Sequence, residues 1–228
     1  MRQRAFTGVQ LAESLDHPVT LAFSLLNAAL ASCIIGDRGE AARHAERLAA
    51  VAGRYDFAAQ RSVSAFLGAL ALADERGAAA TADELLRHFD GTRTQGFLAL
   101  FPVAALADGL ARAGRREEAA RLIDETLGRI PDPRRGIWVS ELWRVRGELL
   151  GGERGADDLR TSYEIATTQG AALYRLRSAL ALAAWQVENQ RRGDAALLLA
   201  EPGLGDAVDE TLSERRLLDE LRAAAGAA

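Results

Sequence analysis

The sequence predicts an all-α fold, a right-handed solenoid of antiparallel helix hairpins. Three observations carry this. Apolar residues recur with helical spacing along nearly the whole chain. β-Branched residues are sparse, and no stretch shows the period-two alternation of a half-buried strand. A turn-and-helix unit recurs with a period of about 38 residues, inside the range of roughly 20–50 residues typical of stacked repeats.

The unit is plainest at 113–130, AGRREEAARLIDETLGRI. Gly114 can take the positive φ that closes a preceding helix. Glu117 and Glu118 follow in a first helical turn, where the helix dipole favours acids. Ala119, Leu122, Ile123, Leu127 and Ile130 fall on one face. One helix cannot bury such a face alone. Copies centred on Gly39, Gly77, Arg116, Gly155 and Gly193 follow one another at nearly even intervals. Anchoring on Gly36, Gly77 and Gly114 instead gives a less even spacing around the same period.

In chain order the first helix, 6–15, is the second member of a truncated unit. Pro18 suits a first helical turn and opens a helix over 18–35, with Leu21, Leu25, Ala28, Ala29 and Ser32 as inner positions. Its partner is 40–53. Asp56 is placed to N-cap a helix over 56–75, paired with 79–89. A helix from 94 or 95 to 113 contains Pro102, which kinks it or marks its start; 117–130 is its partner. Residues 131–136 are the clearest loop. Then come 137–150 with 156–169, and 172–189 with 194–200. A break at 202–205 precedes 209–225, whose Leu212, Leu217, Leu218 and Leu221 can close the stack. The expected architecture is one repeat domain over 1–228, with 11–12 helices in about five hairpins and a half unit at each end.

Composition bounds the rest. The 228 residues are 49% hydrophobic, 26% charged and only 6% aromatic, so the core is built largely of Ala and Leu. All 28 basic residues are Arg, which with the Ala and Gly content suggests a GC-rich bacterial genome. A net charge of −4 argues against a general nucleic-acid binder. Cys33 is the only cysteine, so no internal disulfide forms and a reducing, cytoplasmic setting is expected. Residues 1–15 lack the apolar core of a signal peptide, and no apolar run is long enough to span a bilayer.

The paired-helix pattern resembles tetratricopeptide repeats: a small residue in the first helix, Gly at the turn, Ala early in the second helix and a bulky residue some four positions on. Most of the Trp, Tyr and Pro landmarks of standard repeats are missing. The segments GIWVSELWRVRGELL (136–150), DDLRTSYEIATTQGAALYRLRSALALAAWQ (157–186), RRGDAALLLAEP (191–202) and DETLSERRLLDEL (209–221) are similar to the C-terminal helical region of large bacterial signalling ATPases. Those proteins carry a cyclase or DNA-binding domain at the N-terminus. GDRGEAARHAERLAAVAGRYDF (36–57) is compatible with the same region. Trp143, at a position usually polar in that family, and the shortened loop 151–155 depart from the pattern. The resemblance implies a regulatory or partner-binding role. The family's phosphate-binding loop is missing, and a chain without lysine cannot form it.

Chemistry-bearing residues are few. His17, His44 and His88 show no metal-ligand spacing; His17 and His88 fall near helix ends, and His44 is expected on a solvent face. Cys33 reads as a small buried hydrophobe. The glycines of 151–155 follow a helix rather than a strand, so they read as an inter-helix turn and not a dinucleotide loop. The acidic pairs Glu117-Glu118, Asp157-Asp158 and Asp209-Glu210 lie at helix starts. The arginines at 112, 115, 116, 121, 134, 135, 144 and 146 stand near acids, and Arg144 and Glu148 form an i, i+4 pair; they make a solvated, salt-bridged surface or, alternatively, a patch that receives an acidic partner. Trp138, Trp143 and Trp185 either line a groove or plug gaps in an Ala-rich core.

The expected function is non-enzymatic: a scaffold holding a protein segment, or another domain of a larger parent, in a groove lined by first helices. Asn27, Arg61, Trp138, Glu141, Arg144 and Trp185 are the candidate contacts. No cofactor, metal, membrane or direct nucleic-acid contact is expected, and a homodimer is open. The alternative is a small-ligand sensor that regulates an attached ATPase, cyclase or DNA-binding domain.

Overall fold

The computed structural model describes residues 2–92, 100–132, 136, 138–206 and 213–226, with side chains from Phe6 onward. Among them are thirteen α-helices and no strand. The chain divides into two compact units, Met1–Arg115 and Arg116–Ala228.

The first unit contains α1 (Arg2–Ser14), α2 (Pro18–Ile34), α3 (Arg38–Arg54), α4 (Ala58–Ala71), α5 (Ala73–Arg76), α6 (Ala78–Thr92) and α7 (Leu100–Arg112). Each of these packs on the next in sequence, the short α5 only lightly, and α4 also touches α2 and α6. The second unit contains α8 (Arg116–Arg129), α9 (Val139–Leu150), α10 (Gly152–Thr168), α11 (Ala172–Glu188), α12 (Arg192–Leu199) and α13 (Ser213–Gly226). There α11 touches α9 as well as α10 and α12, and α13 touches both α11 and α12. First helices thus lie beside first helices, with second helices packed between them.

Most hairpins turn on a single left-handed residue. Gly36, Gly77, Gly114, Gly151 and Gln190 all have positive φ, and each follows a first helix. These are the true repeat landmarks. Gly39, Gly155 and Gly193 lie instead inside α3, α10 and α12. At Gly36, Gly114 and Gln190 the next N–H reaches back to a carbonyl of the helix just ended: Asp37 to Ser32 O at 2.9 Å, Arg115 to Leu110 O at 2.8 Å, Arg191 to Gln186 O at 2.7 Å. That is the Schellman closure, which satisfies carbonyls a helix end leaves open. Asp56 (φ 57°) and Gly170 close second helices the same way.

Several expected boundaries shift. Asp56 is this left-handed reversal residue and not an N-cap; its carboxylate accepts from Arg61 Nη1 at 2.7 Å, and α4 opens only at Ala58. The helix expected over 56–75 breaks at Leu72, which accounts for one helix more than expected. Arg38 Nη1 donates to Leu70 O at 2.7 Å, the carbonyl a continuous helix would offer to the Asp74 N–H, and the Asp74 carboxylate lies 3.4 Å from Arg38. The segment 151–155 is not a turn of several residues: Gly151 alone joins α9 to α10. Pro102 occupies the third position of α7, where its missing N–H costs no helical bond; residues 93–99 lie outside the described residues, as do Leu212 and most of the 133–137 loop. Of the leucines expected to close the stack, Leu218 is buried, Leu221 partly buried and Leu217 exposed.

His44 is buried, against expectation. It belongs to the row Ala41, His44, Ala45, Leu48 and Ala52, all buried at i, i+3 and i+4 spacing on α3, and its ring meets Phe6 edge-on at 5.5 Å. Burial pushes its pKa below the usual 6.5; Glu40 opposes this, while Arg47 and Arg43 reinforce it. Cys33 is partly buried, its Sγ 4.0 Å from Leu67 O. Burial outweighs the pull of Arg38 and pushes the thiol up to about 12, so it stays protonated and unreactive at neutral pH.

This packing is open to test at two points. A Cβ on Gly155 would meet Gly147 O at 2.4 Å, whereas one on Gly39 meets nothing within 4 Å. Gly155→Ala should therefore cost about 2–3 kcal/mol or more, and Gly39→Ala should be neutral or gain up to ~1 kcal/mol, read as urea midpoints. For His44 the unfolded chain takes up a proton near pH 6.5 while the fold resists until lower pH. Stability present at higher pH should thus be lost as pH falls below that value, and thermal melts of His44→Leu should lack that loss.

Candidate interaction surface

In the second unit the first helices α9 and α11 align a polar row. Trp138 precedes α9 with φ 75°, a conformation that costs a bulky residue energy. Its buried ring packs edge-on against Tyr174 of α11, centroids 5.4 Å apart. One turn along α9, Glu141 takes a two-pronged contact from Arg144: Nε to Oε2 at 2.9 Å and Nη2 to Oε1 at 2.8 Å. Arg144 Nη1 also reaches Glu148 Oε1 at 2.7 Å, the pair expected from the i, i+4 spacing. On α11 Arg177 bonds Glu214 of α13, Nε to Oε1 at 2.6 Å. The Arg177 charge also reaches Glu141, so one electrostatic ladder spans α9, α11 and α13.

The Glu141 and Arg144 side chains are each 14% exposed. Burial opposes ionisation of Glu141, but the Arg144 charge and hydrogen bonds, with Arg177 adding, outweigh it and hold the carboxyl below its usual 4.5. Burial, and then the Glu141 charge, push the Tyr174 phenol above its usual 10. Tyr174, Arg177 and Glu214 are not among the candidates the sequence reading names. The repeat itself carries the signal that would find them: Tyr174 and Arg177 stand one repeat after Trp138 and Glu141, and Glu214 stands one repeat after Arg177.

Three of the six candidates, Trp138, Glu141 and Arg144, are therefore neighbours. Trp185 is not among them. It is buried near the far end of α11 with Ala156, Leu159 and Leu182, under the Arg191 guanidinium at 4.9 Å. Trp143 lies beneath Arg146 at 5.3 Å. Trp185 thus fills a gap in an Ala-rich core, while half-buried Trp143 carries an arginine on its face. Asn27 and Arg61 are exposed in the first unit; Asn27 Nδ2 turns back to Phe23 O at 2.8 Å, and Arg61 pairs with Asp56.

Five of the clustered arginines, at 112, 115, 116, 144 and 146, are occupied. Arg112 pairs with Asp108 at 2.8 Å and Arg115 with Asp83 at 2.9 Å. Arg116 donates to Glu148 O and Leu149 O at 3.1 and 2.7 Å, capping α9 from α8. Arg146 bridges Asp124 and Asp158, at 2.7 and 2.8 Å. Arg134 and Arg135 lie outside the described residues. Among the described residues no three His, Cys, Asp or Glu converge as metal ligands, and no helix is long and apolar enough to cross a membrane.

The first unit offers open space. Its first helices border an apolar recess with about 20 Å³ of free volume, lined by Leu26, Leu30, Val63, Phe66, Leu67, Phe101 and Pro102. Thr92 also lines it, but its hydroxyl donates to Phe89 O at 2.6 Å. A wider, half-open hollow of about 250 Å³ lies among α4, α5, α6 and α7, bounded by Arg38, Asp74, Asp108 and Arg112.

The ladder sets a measurable acid limb. Glu141 contributes stability present above its unfolded pKa near 4.5 and lost as pH falls through its lower folded value. Glu141→Gln should be less stable at pH 7 and flatter between pH 5 and 3 than the parent. Arg144→Ala, which leaves a largely buried carboxylate without its main partner, should cost about 2–3 kcal/mol, a buried-pair loss discounted for residual exposure. Both are read from urea unfolding.

No family model, no curated protein and no solved structure matches the chain.

Proposed function

We propose that the chain is a non-enzymatic interaction module that holds a protein segment on its first-helix face. The observation that carries this is the recess between α2, α4 and α7, whose lining is apolar apart from one satisfied threonine. Its free volume is about 20 Å³, too small for a separate ligand, so it takes the tip of one apolar side chain. An anchor of that kind, in a desolvated pocket, supplies most of the energy in many interfaces. Asn27 and Arg61, exposed on two of the same helices, supply polar contacts beside it. In this reading the hairpins of each unit stack in a right-handed sense, and the setting is the cytoplasm. The parent is a bacterial signalling or transcriptional regulator of the kind the sequence resembles.

A second reading is favoured by the wider hollow. Arg38 and Arg112 face it together with Asp74 and Asp108, an arrangement suited to a small zwitterion such as an amino acid. In that reading the chain senses a ligand and regulates an attached domain.

The readings part in experiment. Peptides selected from a random display library against the chain should share an apolar side chain at one position. Filling the recess with Leu30→Phe should weaken their capture roughly tenfold or more while the helical circular dichroism persists. Undiminished capture by the filled variant would sink the first reading. A thermal upshift with amino acids, removed by Arg112→Ala, would favour the second.

A further inference from the structure

His44 is a buried titratable group that the interaction surface does not use. It lies on α3, 2% exposed, against Phe6 of α1, whose ring meets it edge-on. Among the described residues neither His44 Nδ1 nor Glu40 Oε2 has a hydrogen-bond partner. Glu40 Oε2 stands 3.5 Å from His44 Nε2, but Arg43 Nη2 reaches Glu40 Oε1 at 2.8 Å, so that carboxylate is already partly balanced. Arg47, also on α3, pairs with Glu13 of α1. Asp37, the N-cap of α3, is the other acid whose charge reaches the ring. α2 carries no charged residue, and Arg61, the one charged residue of α4, pairs with Asp56.

A second proton would give the imidazole an N–H on both nitrogens. Nε2 then faces Glu40, but Nδ1 becomes a buried donor with no acceptor, a cost that water relieves. The elements around the ring differ in how firmly they are held. α2 and α4 both pack on α3. α1 packs on α2 and meets α3 through the Phe6–His44 and Glu13–Arg47 contacts. It is a thirteen-residue helix, marginal on its own, with Val9 and Ala12 as its most deeply buried positions. Water therefore reaches His44 at least cost by displacing α1.

We propose that His44 is a proton-operated latch for α1: on protonation α1 leaves α3 while the rest of the first unit stays folded, uncovering the apolar surface that Phe6, Val9 and Ala12 close. With α1 released the ring titrates near its ordinary 6.5, and with α1 docked burial holds it lower. Opening thus takes up a proton and grows as pH falls below 6.5. The latch is independent of the recess reading, because it is read on α1 and not by peptide capture.

Hydrogen exchange of the full chain, followed by peptide mass spectrometry and corrected for the intrinsic effect of pH, tests this. Protection of α1 should fall roughly tenfold between about pH 7.5 and 5.5, at an opening free energy below that of α6. His44→Leu should abolish the fall, and His44→Gln serves if His44→Leu does not fold. His17 Nδ1 accepts from Thr20 N at the reversal between α1 and α2; His17→Asn, which keeps a capping side chain, should leave the fall intact. Protection of α1 that holds or rises on acidification would overturn the proposal. So would a fall that persists in both His44 variants, that His17→Asn abolishes, or that α6 shares at the same opening free energy.

Discussion

Each hairpin depends on stopping one helix and starting the next antiparallel helix within a very short connection. A right-handed helix can do this only if one residue leaves the right-handed region, and for L-residues that conformation is costly. Glycine removes the cost at Gly36 and Gly114, where the Schellman bonds also satisfy the open carbonyls. At Gly77 (φ 79°, ψ 159°) and Gly151 (φ 62°, ψ −174°) the backbone enters a region that is essentially glycine-only. Asp56 tolerates its left-handed position because Asp visits that region more readily than most residues. Gln190 has no such licence; its hairpin carries the strain.

Once the reversals fix antiparallel partners, small residues set how closely they approach. Gly147 and Gly155 bring α9 and α10 within backbone contact. The buried hydroxyls of Ser162 and Ser178 lie 2.6 Å apart, and Ser162 donates to Ser140 O, joining α9, α10 and α11 with no bulky side chain between them. Arginine then ties neighbouring helices from outside. Arg38, Arg116 and Arg222 each donate to carbonyls at the C-terminal end of another helix, where a cation also suits the helix dipole. In a chain without lysine this rigid fork is the only side-chain cation available for the task besides a protonated histidine. The charges at Arg115 and Arg116 are thus structural ties. That shifts the weight of the proposed function onto the apolar recess.

Helix identity and order are legible in the sequence because the 3.6-residue period persists through nearly every element; α2 and α9 fall close to their expected bounds. The repeat is legible too, and of its two sets of landmarks the less evenly spaced one, Gly36, Gly77 and Gly114, holds the reversal residues. Gly39, Gly155 and Gly193 recur in similar surroundings, yet only φ distinguishes a reversal residue from a glycine in a first helical turn. The break at Leu72 is hidden because its cause, Arg38, belongs to the preceding hairpin. His44 reads as exposed through its polarity, although its spacing from Ala41, Ala45 and Leu48 already places it inside. Of the site, Glu141, Arg144 and Glu148 are readable as one helical row. Tyr174 and Arg177 are legible only through the repeat, one period after Trp138 and Glu141, and the recess is not, since it requires the register between helices.

The most direct test of the reversal account is Gln190→Gly, followed by urea unfolding of the full chain. If Gln190 holds a left-handed closure between α11 and α12, the glycine relieves a penalty of about 1 kcal/mol, and the unfolding midpoint rises with the slope unchanged. A midpoint that falls, as expected when glycine replaces a residue in an ordinary helical or extended conformation, would contradict the account.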